Sequence, residues 1–166
     1  MNNTHLHLVV NHLPIIFPIV GIVLLIIGFF AKSEASKRNA YIIFILGALA
    51  SIAAMATGEG AEEGVEHLLG VAESLIKTHE EAAELFAGFS YFVGGLSVLA
   101  LFASLKDYTF SKIMPVLVGI FSLASLFFAQ KAGTTGGEIR HTEIRSSASI
   151  QNSENQQGDA IEDDHD

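Results

Sequence analysis

Seven histidines are the residues of this sequence whose type and placement could do chemistry. They are His5, His7, His12, His67, His79, His141 and His165. Imidazole titrates near neutral pH and is a common metal ligand. His12 comes directly before an uncharged run, His7 lies five residues earlier, and Pro14 lies just inside the run. An imidazole at the edge of a long apolar run indicates a functional role, because polar groups are costly at a membrane boundary.

Four uncharged runs must position these histidines. They are Leu13–Ala31, Asn39–Gly58, Leu85–Leu105 and Ile113–Gln130. At about 1.5 Å per residue, runs of about 18 to 20 residues cross a hydrocarbon core about 30 Å thick. A soluble helix is not apolar on all sides over such a length. The sequence therefore predicts an all-α integral membrane protein, an up-down-up-down four-helix bundle.

The boundaries of the domain follow from composition and capping signals. Thr78 and Glu81 fit a capping box, so the third helix is expected to begin at His79. The predicted spans are then about 13–31, 39–58, 79–105 and 113–131, within a domain of residues 1–145. Residues 59–77 have helical apolar spacing, which predicts an outer amphipathic helix between spans two and three. Residues 146–166 are polar and acidic, so we expect a disordered tail.

Composition excludes several classes of protein. The chain has no cysteine, so disulfides, thiolate zinc sites, iron–sulfur clusters and a cysteine nucleophile are excluded. A net charge of −9 with nine Lys and Arg argues against nucleic-acid binding. No charge lies in the middle of a span, which argues against an ion path. The first run is too long for a signal peptide and follows no Lys or Arg, so we expect it to be retained.

The basic residues predict the orientation. The loop 32–38 carries three Lys or Arg and the loop 106–112 carries two. Short basic loops stay in the cytoplasm. We therefore expect a multi-pass protein of the bacterial inner membrane with both termini on the outer, periplasmic side.

Three imidazoles converge on the outer face in this arrangement. His12 precedes span one, His79 opens span three and His141 follows span four. A b-type haem needs one or two such imidazoles and an apolar slot within a bundle. The alternative is a zinc, copper or iron ion bound by histidines with Glu63, Glu80 and Glu81. A third reading has interfacial histidines without a cofactor, in a structural subunit of a membrane complex.

The sequence resembles a family of small bacterial membrane proteins described as domain of unknown function 2231. The likeness rests on the opening His7-Leu-Val-Val-Asn-His12-Leu-Pro14-Ile, on Thr57-Gly58, on His79, and loosely on Gly136-Gly-Glu-Ile-Arg-His141. It covers about residues 5–141. The resemblance implies that His7, His12, His79 and His141 form the recurring set. It also implies a haem carrier linked to cytochromes.

The resulting hypothesis is a haem-binding electron-transfer subunit with its haem near the outer face, rather than a stand-alone enzyme. His12 and His79 are the expected ligands, and His7 and His141 form a second pair or support them. His7 and His12 lie about 140° apart on a straight helix, so we do not expect them to serve one ligand position together unless Pro14 bends the approach. The partners are the lipid bilayer, a cytochrome or respiratory complex at the outer face, and a second copy of the chain.

Overall fold

The computed structural model describes residues 3–62 and 73–145. Five α-helices and two 3₁₀ turns account for nearly all of them. They are α1 (Asn3–Val10), α2 (Leu13–Phe30), α3 (Glu34–Glu62), α4 (Glu73–Leu105) and α5 (Met114–Arg140), with 3₁₀ turns at Thr109–Lys112 and Thr142–Ile144. No strand occurs in these two ranges, which confirms the all-α prediction. Most of the predicted amphipathic helix, with Glu63 and His67, and the whole acidic tail lie outside the described residues.

Four helical stretches of the described chain are long and apolar enough to cross a membrane. They are His5–Phe30, Glu34–Gly58, Glu73–Leu105 and Met114–Ile139. Only 28–39% of the residues in the most apolar window of each stretch are buried within the protein. The remaining apolar side chains face outward, as Leu99 and Phe127 do with exposures of 59% and 67%. Such a surface is stable in lipid and not in water, so this is a multi-pass membrane protein.

The helix boundaries follow local chemistry. The chain turns at Asn11–His12 before α2, whose first turn contains Pro14, a position that needs no backbone donor. Ser33 caps α3, because its Oγ accepts the N–H of Ser36 at 3.2 Å. The expected start of the third helix at His79 is wrong, since α4 already begins at Glu73. Thr78 is inside that helix, where its hydroxyl donates to the carbonyl of Ser74 instead of capping.

The helices α2 and α4 end in turns of the same type. Lys32 after α2 and Asp107 after α4 both take the left-handed conformation, with φ of 51° and 54°. In each turn the next N–H reaches a carbonyl five residues back, from Ser33 to Gly28 and from Tyr108 to Ala103, both at 3.0 Å. This is the Schellman ending of a helix, and it reverses the chain into the following helix.

Neighbouring helices contact each other along their length. The contacts between α2 and α3 include Gly28 against Lys37, Gly21 against Phe44 and Gly47 against Pro18. Between α3 and α4, Arg38 bonds to Ser104, and Ala48 meets Gly94. The rings of Phe89 and Phe128 stack between α4 and α5, and Leu25 of α2 lies beside Gly119 of α5.

Candidate functional site

His7 is attached by its ring to α3. Its Nδ1 lies 3.1 Å from the carbonyl oxygen of Ala54 and 3.1 Å from Oγ1 of Thr57. The Thr57 hydroxyl lies 2.9 Å from the carbonyl of Ala53, to which it donates. α1 packs along α3, and this contact brings His7 to the bundle although it precedes the first apolar run.

His79 is attached to α5 in the same way. Its Nδ1 lies 3.1 Å from the carbonyl oxygen of Ala132 and 3.3 Å from Oγ1 of Thr135. The Thr135 hydroxyl donates to the carbonyl of Lys131 at 3.1 Å. The ring also lies over Gly136, where a Cβ would come 2.9 Å from the His79 Cε1. Gly136 therefore leaves the space that the imidazole occupies.

These contacts favour one tautomer of both imidazoles. A carbonyl oxygen only accepts, so the contacts with Ala54 and Ala132 favour the form with the proton on Nδ1. In the neutral ring Nε2 is then unprotonated, and its lone pair is available to a metal. A backbone carbonyl on Nδ1–H is the usual partner of a metal-ligating histidine, because it fixes the ring and raises its basicity.

The two imidazoles come from different helix pairs and lie within range of an electrostatic interaction. His7 contributes to the electrostatic environment of His79, although the two residues are 72 positions apart in the sequence. Both are partly buried. An apolar cluster lies beside His79 on α4 and α5, and its buried members are Ala82, Phe86, Ala129 and Ala132, with Ile15 of α2 packed against them. The site thus combines two oriented nitrogen donors with an apolar wall.

The other two predicted ligands lie elsewhere at the helix ends. His12 is exposed at the N-cap of α2 and makes no side-chain capping bond. His141 is exposed after α5, and its Nδ1 lies 2.9 Å from Oε1 of Glu143. The backbone N–H of Glu143, and after it the His141 ring, hydrogen-bond this carboxylate and lower its pKa. The structure therefore brings together His7 and His79, and neither His12 nor His141 shares their anchoring.

The acidic residues of the metal alternative do not gather around these imidazoles. Glu80 and Glu81 are exposed on α4. Within residues 3–62 and 73–145, no three His, Asp or Glu side chains are close enough together to hold a metal ion. Glu63 lies outside the described residues.

The second acceptors of the two rings were not among the predicted site residues. Thr57 belongs to the residues that carry the family resemblance, and no sequence pattern singles out Thr135. The signal that could have found them is a short repeat, Ala54-Met-Ala-Thr57-Gly58 and Ala132-Gly-Thr-Thr135-Gly136. The repeat is too short to stand out without the knowledge that each copy faces a histidine.

Comparison of the chain with family models, with curated proteins and with solved structures finds no match. The functional conclusion therefore depends on the geometry of the site.

Proposed function

We propose that this chain is a membrane electron-transfer subunit, an up-down-up-down four-helix bundle that binds a b-type haem near its outer face. The observation that carries the proposal is the pair His7 and His79. Each imidazole is fixed through Nδ1 to a backbone carbonyl and a threonine hydroxyl. In each ring the Nε2 lone pair is then available to coordinate a metal. His7 takes the place of His12 in the ligand pair expected from the sequence, because α3 orients the His7 ring and no such partner orients His12.

The residues around the pair suit a haem better than a bare metal ion. Zinc and non-haem iron need three or four protein ligands, and the described residues supply only two oriented imidazoles here. A haem would need from the protein only imidazole ligands and apolar surroundings. Ala82, Phe86 and Ala129 provide apolar surroundings beside His79. The donor set and its surroundings are compatible with the group.

A bound haem supplies one-electron oxidation and reduction. His7 and His79 would hold the iron through Nε2. The Nδ1–H bonds to Ala54 and Ala132 would increase the donor strength of both rings, which would favour the oxidised state. Phe86 and the alanines beside it exclude water from that side of the site.

The same proposal includes the location of the protein. Five Lys and Arg belong to the two tight turns opposite the histidines, namely Lys32, Lys37, Arg38, Lys106 and Lys112. The positive-inside rule assigns these turns to the cytoplasm of a bacterial inner membrane, and the imidazoles to the periplasmic side. The electron partner is then a cytochrome or respiratory complex that reaches the outer face.

An optical spectrum of the purified protein tests the proposal. The full chain is expressed with ample haem precursor, purified in detergent and measured before and after reduction. We expect a Soret band and, on reduction, the sharp visible bands of a six-coordinate low-spin haem. His7→Ala and His79→Ala should each abolish this low-spin spectrum, and imidazole added to a His79→Gly variant should restore it.

His12→Ala and His141→Ala are the matched controls, since both side chains are exposed and neither is anchored to α3 or α5. Both variants should keep the wild-type spectrum. A wild-type protein without a Soret band contradicts the proposal, as does a low-spin spectrum that survives in His7→Ala and His79→Ala. Zinc, copper or iron found in stoichiometric amount without porphyrin would establish the metal-binding alternative instead.

A further inference from the structure

The two imidazole sites are built on one plan. In α3, the Ala54 carbonyl and the Thr57 hydroxyl face Nδ1 of His7 from α1. In α5, the Ala132 carbonyl and the Thr135 hydroxyl face Nδ1 of His79 from α4. The separations along the chain are 47 and 50 residues for His7, and 53 and 56 for His79. A glycine follows each threonine on the side of the ring, with Cε1 of His7 4.0 Å from a Cβ built at Gly58.

The turns explain why each histidine meets its threonine. Lys32 is midway in sequence between His7 and Thr57, and Asp107 is midway between His79 and Thr135. Both turn residues are left-handed and close the same Schellman bond. Two antiparallel helices of equal length from such a turn end at the same level. The chain thus repeats one helix pair, and each copy presents one imidazole at its open end.

Thr57 and Thr135 have the same place in the two copies. Each hydroxyl donates to the carbonyl four residues earlier in its own helix. Its oxygen lone pairs are therefore available to Nδ1–H of the histidine. The proton on Nδ1 has two oxygen acceptors, a carbonyl and a hydroxyl, and a rotated ring or the other tautomer would lose both of these hydrogen bonds.

We propose that Thr57 and Thr135 are equivalent positioning residues that hold His7 and His79 as Nδ1–H imidazoles and so present both Nε2 lone pairs to one shared ligand. The positioning is a property of the chain alone. Only the identification of the ligand as haem rests on the proposed function. With haem bound, both hydroxyls would strengthen His7 and His79 as iron ligands and would lower the midpoint potential.

The first test reads the tautomers without any cofactor. The full-length chain is labelled with ¹⁵N-histidine in a host that cannot make haem, and the ring nitrogen shifts are recorded in lipid or detergent. We expect pure Nδ1–H signals for His7 and His79. Thr57→Val should replace the His7 signal with that of a mixed tautomer, Thr135→Val should do the same for His79, and Thr57→Ser and Thr135→Ser should restore the wild-type signals.

The second test reads the same residues through the haem-loaded protein. Thr57→Val and Thr135→Val should each shift the midpoint potential upward, and the serine variants should return it to the wild-type value. Thr134→Val is the control, because Thr134 is the exposed neighbour of Thr135 on α5. Thr57→Ala and Thr135→Ala serve if a valine variant does not assemble.

The outcomes of the two tests separate the two proposals. Unchanged tautomers and an unchanged potential in the valine or alanine variants overturn the positioning role, even when the haem binds. An equal effect of Thr134→Val also overturns it. A chain that shows the expected tautomer changes but no Soret band supports the positioning role and contradicts only the haem.

Discussion

At the scale of single residues, the anchoring of an imidazole distinguishes the histidines better than their distance from an apolar run. His12 is directly next to the first run and is exposed, whereas His7 is five residues farther away and is bonded to α3. The turn at Asn11–His12 makes the difference, because it lets α1 lie along α3. The sequence indicated that histidines gather at one end, but the spacing could not show which rings would find acceptors.

The two glycines beside the rings give a prediction at this scale. Gly136→Ala should disturb His79, because the new Cβ would lie 2.9 Å from Cε1 and 3.1 Å from Nδ1. Gly58→Ala should leave His7 in place, because the corresponding distance of 4.0 Å is ordinary contact. The ¹⁵N shifts of the two rings and the low-spin optical spectrum measure the effect. Equal effects of the two variants would contradict the difference in space that we describe.

At the scale of helices, the four spans could be predicted because a long uncharged run is stable in lipid as a membrane-spanning helix. The start of α4 could not be predicted from Thr78 and Glu81. A threonine hydroxyl inside a helix can bond to the carbonyl of the preceding turn, as Thr78 does with Ser74, and the same residue types then give a false capping signal.

Gly94 and Gly95 on α4 give the first prediction for the helices. A Cβ at Gly94 would overlap the Cβ of Ala48 on α3, whereas a Cβ at Gly95 meets nothing within 4 Å. Gly94→Ala should therefore lower the free energy of unfolding by about 1–3 kcal/mol, as overpacking does. Gly95→Ala should raise it by up to about 1 kcal/mol through helix propensity. Unfolding in mixed micelles of increasing SDS content measures both, and a stable Gly94→Ala variant would contradict the close approach of α3 and α4.

Arg38 gives the second prediction for the helices. Its Nε donates to Oγ of Ser104 at 2.9 Å, and its Nη2 donates to the carbonyl of Ser104 at 2.6 Å, near the end of α4. Arg38→Ala should cost about 1.5–3 kcal/mol, the range for hydrogen bonds with one charged partner. Arg38→Lys should recover only part of this, because an ammonium lacks the fork of a guanidinium.

Glu34→Gln is the control for Arg38 and uses the same unfolding measurement. It breaks the ion pair between Lys37 and Glu34, which has a separation of 2.7 Å and an exposed carboxylate. Exposed pairs contribute about 0–1 kcal/mol, so this loss should be small. A loss as large as that of Arg38→Ala would mean that the hydrogen bonds from Arg38 to Ser104 contribute no more to stability than an exposed ion pair does.

At the scale of the whole molecule, the chain is a membrane protein whose two ends differ in kind. One end has two tight basic turns, and the other has the anchored imidazoles and the exposed His141 with Glu143. Charge counting predicts which end faces the cytoplasm because that rule acts through the short loops. The pairing of His7 with His79 depends on which helix packs against which, and a single sequence does not encode that contact in any local pattern.

Cysteine labelling tests the orientation, since the natural chain contains no cysteine. Ala35→Cys and Thr109→Cys place exposed thiols in the two basic turns, and Glu143→Cys places one beyond α5. A membrane-impermeant maleimide added to spheroplasts should label only Glu143→Cys, and the other two should react after permeabilisation. Labelling of Ala35→Cys in intact spheroplasts would reverse the orientation that we propose.

The presence of both Ala-x-x-Thr-Gly copies in one chain has an evolutionary consequence. In a dimer of identical helix pairs, every substitution near one imidazole would occur near the other as well. Here the two environments can diverge independently. Gly136 already lies tightly under His79, whereas Gly58 leaves His7 more room. Selection can therefore adjust the surroundings of one imidazole without changing those of the other, which an exactly symmetric dimer does not allow.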